Sequence, residues 1–598
     1  MILDFGGQYA HLIGRRIREC GAFSQILPPQ TRAGALNGVA GIILSGGPQS
    51  VYDKGAPHGD PKIFELGIPI LGICYGLQWM TKVLGGDVKA GKTKEYGKTR
   101  IQISDFRFQI SALFRNLSEQ FTVWMSHGDE VVRMPYGFVQ AATSDACVNA
   151  AIVDEERRIF GVQFHPEVTH TEYGMQILKN FVGFCDAAPW SVKSFHLWIR
   201  EQVRKDAGDK SVFMLVSGGV DSTVAFVLLN EVLGRDRVQG LLIDTGLMRK
   251  GEISEVQSAF KKLGIINLHI EDACDEFLSA LENVYDPEEK RKMIGKTFLN
   301  VQHRVLTTHY SLLTTNYLLG QGTIYPDTIE TGGTAHADHI KTHHNRIPEV
   351  QSMIDRGEVI EPLKDLYKDE VRRLGEELGL PHELVWRHPF PGPGLGVRIL
   401  CVEDVADLKF QIPSTKFQEN LKIQVPNTIL PVKSVGVQGD SRTYKHAIVL
   451  FSDSKLPDEE HWRLATEIPN RCPEFNRVLF CLSHAAPLEF VLTPGYITRE
   501  QTRLLRSADA IINEEMHAAD LCEKIWQFPV VLLPIGVKTG GQSIVLRPVE
   551  STEAMTANAA RLPEDILHHM TERLMALPDI DAVFYDLTSK PPATIEWE

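Results

Sequence analysis

Glycine follows the ends of short hydrophobic runs throughout the first part of this sequence, and that pattern restricts the fold more than any other feature. Ile2-Leu3 leads into Asp4-Phe5-Gly6-Gly7, and Gly41-Ile42-Ile43-Leu44 into Ser45-Gly46-Gly47-Pro48. Ile68-Pro69-Ile70-Leu71-Gly72-Ile73 leads into Cys74. Short continuous apolar runs bounded by turn residues read as strands buried on both faces. With helical segments between them they predict an α/β, doubly wound parallel sheet, whose ligands bind where the strands end. A second block repeats the pattern, with a strand at 211–216, a helix at 223–233 and a strand at 238–243. That is a βαβ unit of about 30 residues.

Two breaks divide the chain. Asp186-Ala187-Ala188-Pro189-Trp190 is the first, and the proline- and glycine-rich run His388-Pro389-Phe390-Pro391-Gly392-Pro393-Gly394-Leu395-Gly396 is the second. Such a run cannot be the interior of a regular element. The expected domains are 1–188, 189–388 and 389–598, in keeping with about 100–200 residues per domain. The third region reads as α+β with an apparent internal duplication, its halves at about 398–485 and 486–598. Leu430-Pro431-Val432-Lys433-Ser434-Val435-Gly436-Val437 resembles Leu533-Pro534-Ile535-Gly536-Val537. Pro473-Glu474-Phe475-Asn476-Arg477-Val478-Leu479-Phe480 likewise resembles Pro578-Asp579-Ile580-Asp581-Ala582-Val583-Phe584-Tyr585. Chance similarity between two α/β segments is the alternative.

Composition removes several classes. Hydrophobic residues make up 43% and charged residues 23%, which is globular rather than disordered. A net charge of −14 argues against nucleic-acid or anionic-membrane partners. Nine cysteines without a C-x-x-C pair read as reduced thiols and give a zinc site little support. No apolar run approaches the ~18 residues of a membrane span. The N-terminus has no basic n-region. A cytosolic protein is expected, with a nuclear pool left open.

Gly72-Ile73-Cys74-Tyr75-Gly76 follows a strand and precedes a helical stretch. This is the layout of a nucleophile elbow, in which small neighbours permit a sharp turn and the helix field favours a thiolate. Phe164-His165-Pro166-Glu167 follows the strand at 159–163. Pro166 biases His165 to extended backbone, where residues two apart face the same way. His165 can then shuttle a proton while Glu167 orients it. On these residues, the first ~185 positions resemble the class I glutamine amidotransferase domain. The resemblance implies Cys74 as nucleophile, His165 as general base and acid, and Glu167 as its orienter. It implies that the N–H groups of Gly47 and Tyr75 meet the oxyanion, and that Gln78 and Ser126-His127-Gly128-Asp129 line the glutamine pocket.

Ser217-Gly218-Gly219-Val220-Asp221-Ser222 lies between a strand and a helix. It is not a Walker A loop, yet its glycines, hydroxyls and helix N-terminus make an anion nest. Asp221 suits a Mg²⁺ bridge rather than direct phosphate contact. The motif resembles the PP-loop of N-type ATP pyrophosphatases, with Asp244-Thr245-Gly246-Leu247 as the second strand end. The segments around Tyr325-Pro326-Asp327 and Ile340-Lys341-Thr342-His343-His344-Asn345 resemble those of the GMP synthetase family. They imply Asp327 as a second Mg²⁺ ligand and Lys341 on the phosphates. Adjacent His343 and His344 do not make a metal site.

The ending Lys590-Pro591-Pro592-Ala593-Thr594-Ile595-Glu596-Trp597-Glu598 has rigid and alternating apolar residues, so it is expected to dock. It resembles the tail of the same family. The resemblance implies that Arg291, Asp440, Gln527, Lys590 and Glu596 contact xanthosine monophosphate (XMP), and that ATP and glutamine are the other substrates. The length of the third region looks more like the family's eukaryotic form. If its two halves pair within one chain, a monomer is expected, with a homodimer as the alternative. Two other readings compete. One is a different ammonia-using adenylating enzyme, which the tail argues against. The other is a non-catalytic nucleotide-binding scaffold, which the intact Cys74, His165 and Glu167 argue against.

Overall fold

The structure, a computed structural model of the chain, describes residues 1–7, 9–104, 111–309, 317–330, 353–403, 425–438, 441–551 and 557–598. Lys341 and Asp440 lie outside the described residues. The chain forms two compact units. One comprises Met1–Gln202, Thr323–Ile347 and Leu363–Glu370, the other Val203–Gly322, Pro348–Pro362 and Val371–Glu598. Among the described residues no helix is long and apolar enough to cross a membrane.

The first unit is built on nine strands: β1 (Ile2–Leu3), β2 (Ile26–Leu27), β3 (Ile42–Leu44), β4 (Ile70–Ile73), β5 (Asp87–Ile103), β6 (Gln120–Arg133), β7 (Val139–Ser144), β8 (Ala151–Asp154) and β9 (Ile159–Val162). Their order is β2-β1-β3-β4-β9-β8-β7-β5-β6. The pairs from β2 to β9 are parallel, as the glycine-ended runs predict. The pairs from β9 to β6 are antiparallel, so the parallel strands form one half of a mixed sheet. Parallel pairing needs a long crossover, usually a helix. Between β5 and β9 the described residues supply only the short turn Ala112–Phe114. Those strands therefore fold back on one another. Side chains alternate across the parallel half, with Leu71 and Ile73 in the core on one face and Ile70 in the core on the other.

Arg18 ties the outlying segments into this unit. Its guanidinium lies 4.8 Å from the Phe23 ring, 5.1 Å from Trp190, 5.3 Å from Tyr325 and 4.9 Å from Tyr367. It pairs with Glu370 at 2.6 Å. A buried cation is tolerable here because a carboxylate and four aromatic faces replace its water.

The second unit carries an all-parallel sheet of β10 (Ser211–Leu215), β11 (Val238–Asp244), β12 (Leu268–Asp272), β13 (Tyr317–Gly320) and β14 (Val359–Ile360). The order β12-β11-β10-β13-β14 reverses direction at β10. That leaves a crevice at the carboxyl end of β10 and β13, where open α/β sheets bind ligands. A six-stranded sheet follows, from β15 (Asn427–Gln438), β16 (Ser441–Leu450) and β17 (Phe475–Cys481). After the short β18 (Val491–Leu492) come β19 (Val530–Leu533), the short β20 (Ile535–Gly536), β21 (Gln542–Leu546), β22 (Val549–Glu550), β23 (Asn558–Ala559) and β24 (Ile580–Asp586). The six-strand order is β15-β16-β17-β24-β21-β19. The central pair β17 and β24 is antiparallel, while β16–β17 and β21–β24 are parallel. Helices Glu459–Arg471 and Glu564–Met575 each precede one central strand. One apolar core runs from Phe213 and Leu241 to Val478, Val530 and Ile544, so both sheets of this unit share it.

Within that core sits a buried charge cluster. Arg477, Arg547 and Asp586 are fully buried. Asp586 accepts hydrogen bonds from Arg477 Nη1 at 2.7 Å and Trp597 Nε1 at 3.2 Å, and lies 3.3 Å from Arg547. Burial favours the neutral acid, but the two guanidiniums outweigh it and hold the carboxyl below its ordinary range. Asp586→Ala should therefore destabilise the unit by about 3–5 kcal/mol, because two buried cations lose their partner. Chemical denaturation should show a lower midpoint, and an unchanged midpoint would refute the account. The wild-type contribution is complete above the unfolded-chain pKa and is lost as pH falls through the folded one.

Candidate functional site

At the end of β4 the chain turns sharply into the helix Tyr75–Val83. Cys74 makes the turn with φ of 50°, a left-handed value unusual for a residue with a side chain. The turn is possible because its neighbours lack a Cβ. A Cβ on Gly76 would lie 2.2 Å from Leu44 O, and one on Gly72 would lie 2.8 Å from Leu77 N. The result is a buried thiol beside a helix N-terminus. The Cys74 sulfur contacts Ser126 O at 3.4 Å and receives Gln163 Nε2 at 3.6 Å. Gln78, one turn into the helix, donates to Asp129 O at 2.8 Å. The side-chain oxygen Oδ2 of Asp129 is buried without a hydrogen-bond partner.

His165 follows β9. Its Nδ1 lies 2.7 Å from Glu167 Oε1. Its backbone is pinned on both sides, N–H to Trp124 O at 3.0 Å and C=O from Thr171 Oγ1 at 2.6 Å. Burial works against the imidazolium, but the Glu167 carboxylate and the Cys74 sulfur prevail and hold His165 well above its ordinary pKa. The loop after β3 closes over this pair. A Cβ on Gly46 would lie 3.1 Å from His165 Cε1 and 3.9 Å from Cys74 Cβ. A Cβ on Gly47 would lie 2.7 Å from Phe5 O and 3.1 Å from Tyr75 Cγ, so Gly47 and Tyr75 are packed together. Arg16 Nε, which the sequence did not single out, donates to Glu167 O at 3.1 Å.

The loop Ser217-Gly218-Gly219-Val220-Asp221-Ser222 caps the reversal point at β10. Gly218 takes φ of 79°, and Val220–Leu233 is helical. Ser222 Oγ accepts from Ser217 N at 3.2 Å and lies 3.0 Å from Ser217 Oγ. Ser217 Oγ accepts from Gly219 N at 3.2 Å. This hydroxyl lattice shapes the turn while Asp221 occupies the helix's first turn. Gly322, after β13, packs on it so closely that a Cβ would lie 2.8 Å from Ser222 N. Asp327 lies in the other unit, where its Oδ2 accepts from Ile324 N at 3.1 Å.

The tail docks against β15 through backbone hydrogen bonds and one isolated bridge. Val435 N donates to Trp597 O at 2.9 Å, Val437 N donates to Pro592 O at 2.8 Å, and Gly436 bridges Ala593. Glu596 and Gln527 come together: Glu596 accepts Arg398 Nη2 at 2.8 Å, Arg398 Nε at 3.0 Å and Gln527 Nε2 at 3.2 Å. Arg291 reaches the backbone oxygen of Glu598, whose carboxylate pairs with the buried Lys290. The Lys590 backbone instead pairs with Ala557. Arg398 and Lys290 were not singled out from the sequence. Each lies far along the chain from its partner, and the flanking G-L-G-V-R and E-E-K-R runs read only as a boundary and a solvated helix face.

Residues 1–184 match the family model for glutamine amidotransferase class-I, residues 191–325 that for NAD synthase, and residues 514–597 that for the GMP synthase C terminal domain. Fold and sites thus define an amidotransferase joined to an N-type ATP pyrophosphatase domain. The chain is 45% identical to the probable GMP synthase [glutamine-hydrolyzing] of Leptospira interrogans, over 100% of this chain and 99% of that one. It is 40% identical to the GMP synthase [glutamine-hydrolyzing] of Bacillus licheniformis, over 100% and 98%. Among solved structures, that of a putative GMP synthase component from Thermoplasma acidophilum is 33% identical, with a TM-score of 0.27, over 31% of this chain and 92% of that one. The chain belongs to the family of glutamine-hydrolysing GMP synthases.

Replacing Glu167 by Gln removes a carboxylate that raises His165. The imidazolium should then lose its proton at lower pH. The alkaline limb of the glutaminase rate profile should move towards acid, with a loss of about 100-fold near neutrality. A limb that stays in place would show that Glu167 does not tune His165.

Proposed function

We propose that the chain aminates XMP to GMP with ammonia taken from glutamine, while ATP is cleaved to AMP and pyrophosphate. The observation that carries the reading is the thiol of Cys74 at its elbow, facing an imidazole that Glu167 holds at 2.7 Å. His165, as the imidazolium, already holds the proton of the Cys74–His165 pair as the sulfur attacks the glutamine amide carbon. It gives that proton to the departing ammonia, leaving a glutamyl thioester. His165 then draws a proton from water, which cleaves the thioester to glutamate. The N–H groups of Gly47 and Tyr75 are the donors for the tetrahedral oxyanion. The buried Oδ2 of Asp129, without a partner among protein atoms, suits the α-ammonium of glutamine.

In the second site the C2 carbonyl oxygen of XMP attacks the α-phosphorus of ATP and pyrophosphate leaves. Ammonia then adds at C2 and AMP departs. Ser217, Gly218, Gly219, Val220 and Ser222 form the turn that receives phosphate oxygens, with Lys341 as a further phosphate contact. Mg²⁺ fits the donor chemistry, since Asp221 is a hard carboxylate ligand in the first turn of the helix; Asp327 is assigned as a second ligand by the family resemblance alone. Bound there, the ion neutralises phosphate charge. Arg291, Asp440, Gln527, Lys590 and Glu596 are assigned to the XMP pocket. The hydrogen bonds joining Gln527, Glu596 and Arg398 support a site ordered by the docked tail. A cytosolic setting completes the reading, on the strength of the cysteine pattern.

Two variants separate the sites. Cys74→Ala should abolish synthesis from glutamine and keep synthesis from ammonium. Asp221→Ala should abolish both. Loss of both activities in a folded Cys74→Ala protein, or full ammonium-dependent activity in Asp221→Ala, would sink the division of labour.

The third region is read as two β-β-α-β copies that pair within one chain, making an active monomer. The support is the sheet order β15-β16-β17-β24-β21-β19, three strands on each side of an antiparallel centre. Sedimentation at assay concentration should give one chain per particle, with activity per chain independent of dilution. A dimer paired through this sheet would refute it.

A further inference from the structure

We propose that Glu95, His127 and Cys147 form a binding site for a thiophilic divalent cation, Zn²⁺ by its donor chemistry. The three residues come from β5, β6 and the turn between β7 and β8. One ligand atom of each lies within 4.8 Å of the other two. Sulfur, imidazole nitrogen and carboxylate oxygen together are a zinc donor set, and three protein donors leave a fourth position for water.

The hydrogen bonds around the cluster prepare it. Nδ1 of His127 lies 3.0 Å from Asp129 O, which only accepts, so Nδ1 carries a hydrogen. Nε2 then faces Glu95 Oε2 at 3.2 Å, a nitrogen lone pair against a carboxylate. A nitrogen of that ring, a Glu95 oxygen and the Cys147 sulfur all lie within 4.8 Å of one another, so three donors of different chemistry surround one small volume. His127 is 6% exposed and Cys147 0%, so solvent does not screen the cluster. Ser144 Oγ donates to Glu95 Oε1 at 3.1 Å and accepts from Cys147 N at 2.9 Å, so one hydroxyl aligns two of the donors. Outer partners that fix the imidazole tautomer and the carboxylate are a regular part of protein metal sites.

The site adjoins the amidotransferase centre and shares His127 with the segment that the family resemblance assigns to the glutamine pocket. Asp129 O also accepts from Gln78 Nε2, and Ser126, beside His127 on β6, contacts the Cys74 sulfur through its carbonyl. A cation drawing Glu95, His127 and Cys147 together acts directly on the strand that lines the thiol.

The test is titration of the full chain with Co²⁺ in a Cys74→Ala background, so that the elbow thiol contributes nothing. One equivalent should produce a near-ultraviolet thiolate-to-cobalt charge-transfer band that Zn²⁺ abolishes. Adding Cys147→Ala should remove the band. Glu95→Gln, which keeps a partner for Ser144, should weaken binding by about 10–100-fold. No band at millimolar Co²⁺ would overturn the proposal. A band that survives Cys147→Ala would too, since the sulfur would then come from elsewhere, such as Cys274 beside Asp244 and Asp272. If Cys147→Ala fails to fold, an unweakened affinity in Glu95→Gln still overturns it.

Discussion

Backbone must approach backbone where a parallel strand hands the chain to a helix, and both candidate sites grow from that requirement. At the first, Leu44 and Gly76 are in contact because Gly76 has no side chain. At the second, Gly322 lies against the amide of Ser222 for the same reason. Each close approach leaves a helix N-terminus at the carboxyl end of an interior strand, with its positive field unspent. One presents a thiol and the other a ring of hydroxyls and amides, so shared geometry yields different chemistry.

The second unit depends on a different device. Asp586 ends β24, while Arg477 lies on the neighbouring β17 and Arg547 follows β21. All three are buried, so only one alignment of the strands satisfies the charges. Trp597 reaches the same carboxylate, and the Arg477 guanidinium lies 4.8 Å from its ring. Alignment of the sheet and docking of the tail are therefore set by the same group.

Local signals were legible in the sequence, and long-range partnerships were not. Apolar runs ending in glycine located the parallel strands. His165 and Glu167, two apart in extended chain, face the same way, as the Pro166 between them suggests. The antiparallel half of the first sheet was hidden because β5 to β8 carry no glycine-ended signature, and among the described residues only the short turn Ala112–Phe114 lies between them. Arg398 meets Glu596 nearly two hundred residues away, and Arg18 gathers rings from four separate stretches. Glu95, His127 and Cys147 share no motif, since strand pairing and a turn bring them together. Such contacts are products of the sheet and have no period or spacing along the chain.

The six-stranded sheet has one further consequence. In a two-fold symmetric pair of identical chains, every substitution occurs twice and both halves must tolerate it. Here β17 and β24 meet as neighbours within a single chain. Each can change alone, and the two already differ, since Arg477 on one strand and Asp586 on the other face each other as opposite charges. In a perfectly symmetric seam the same pair would have to occur twice, once on each side of the axis. Placing both halves in one gene makes an asymmetric, charge-matched seam available to selection.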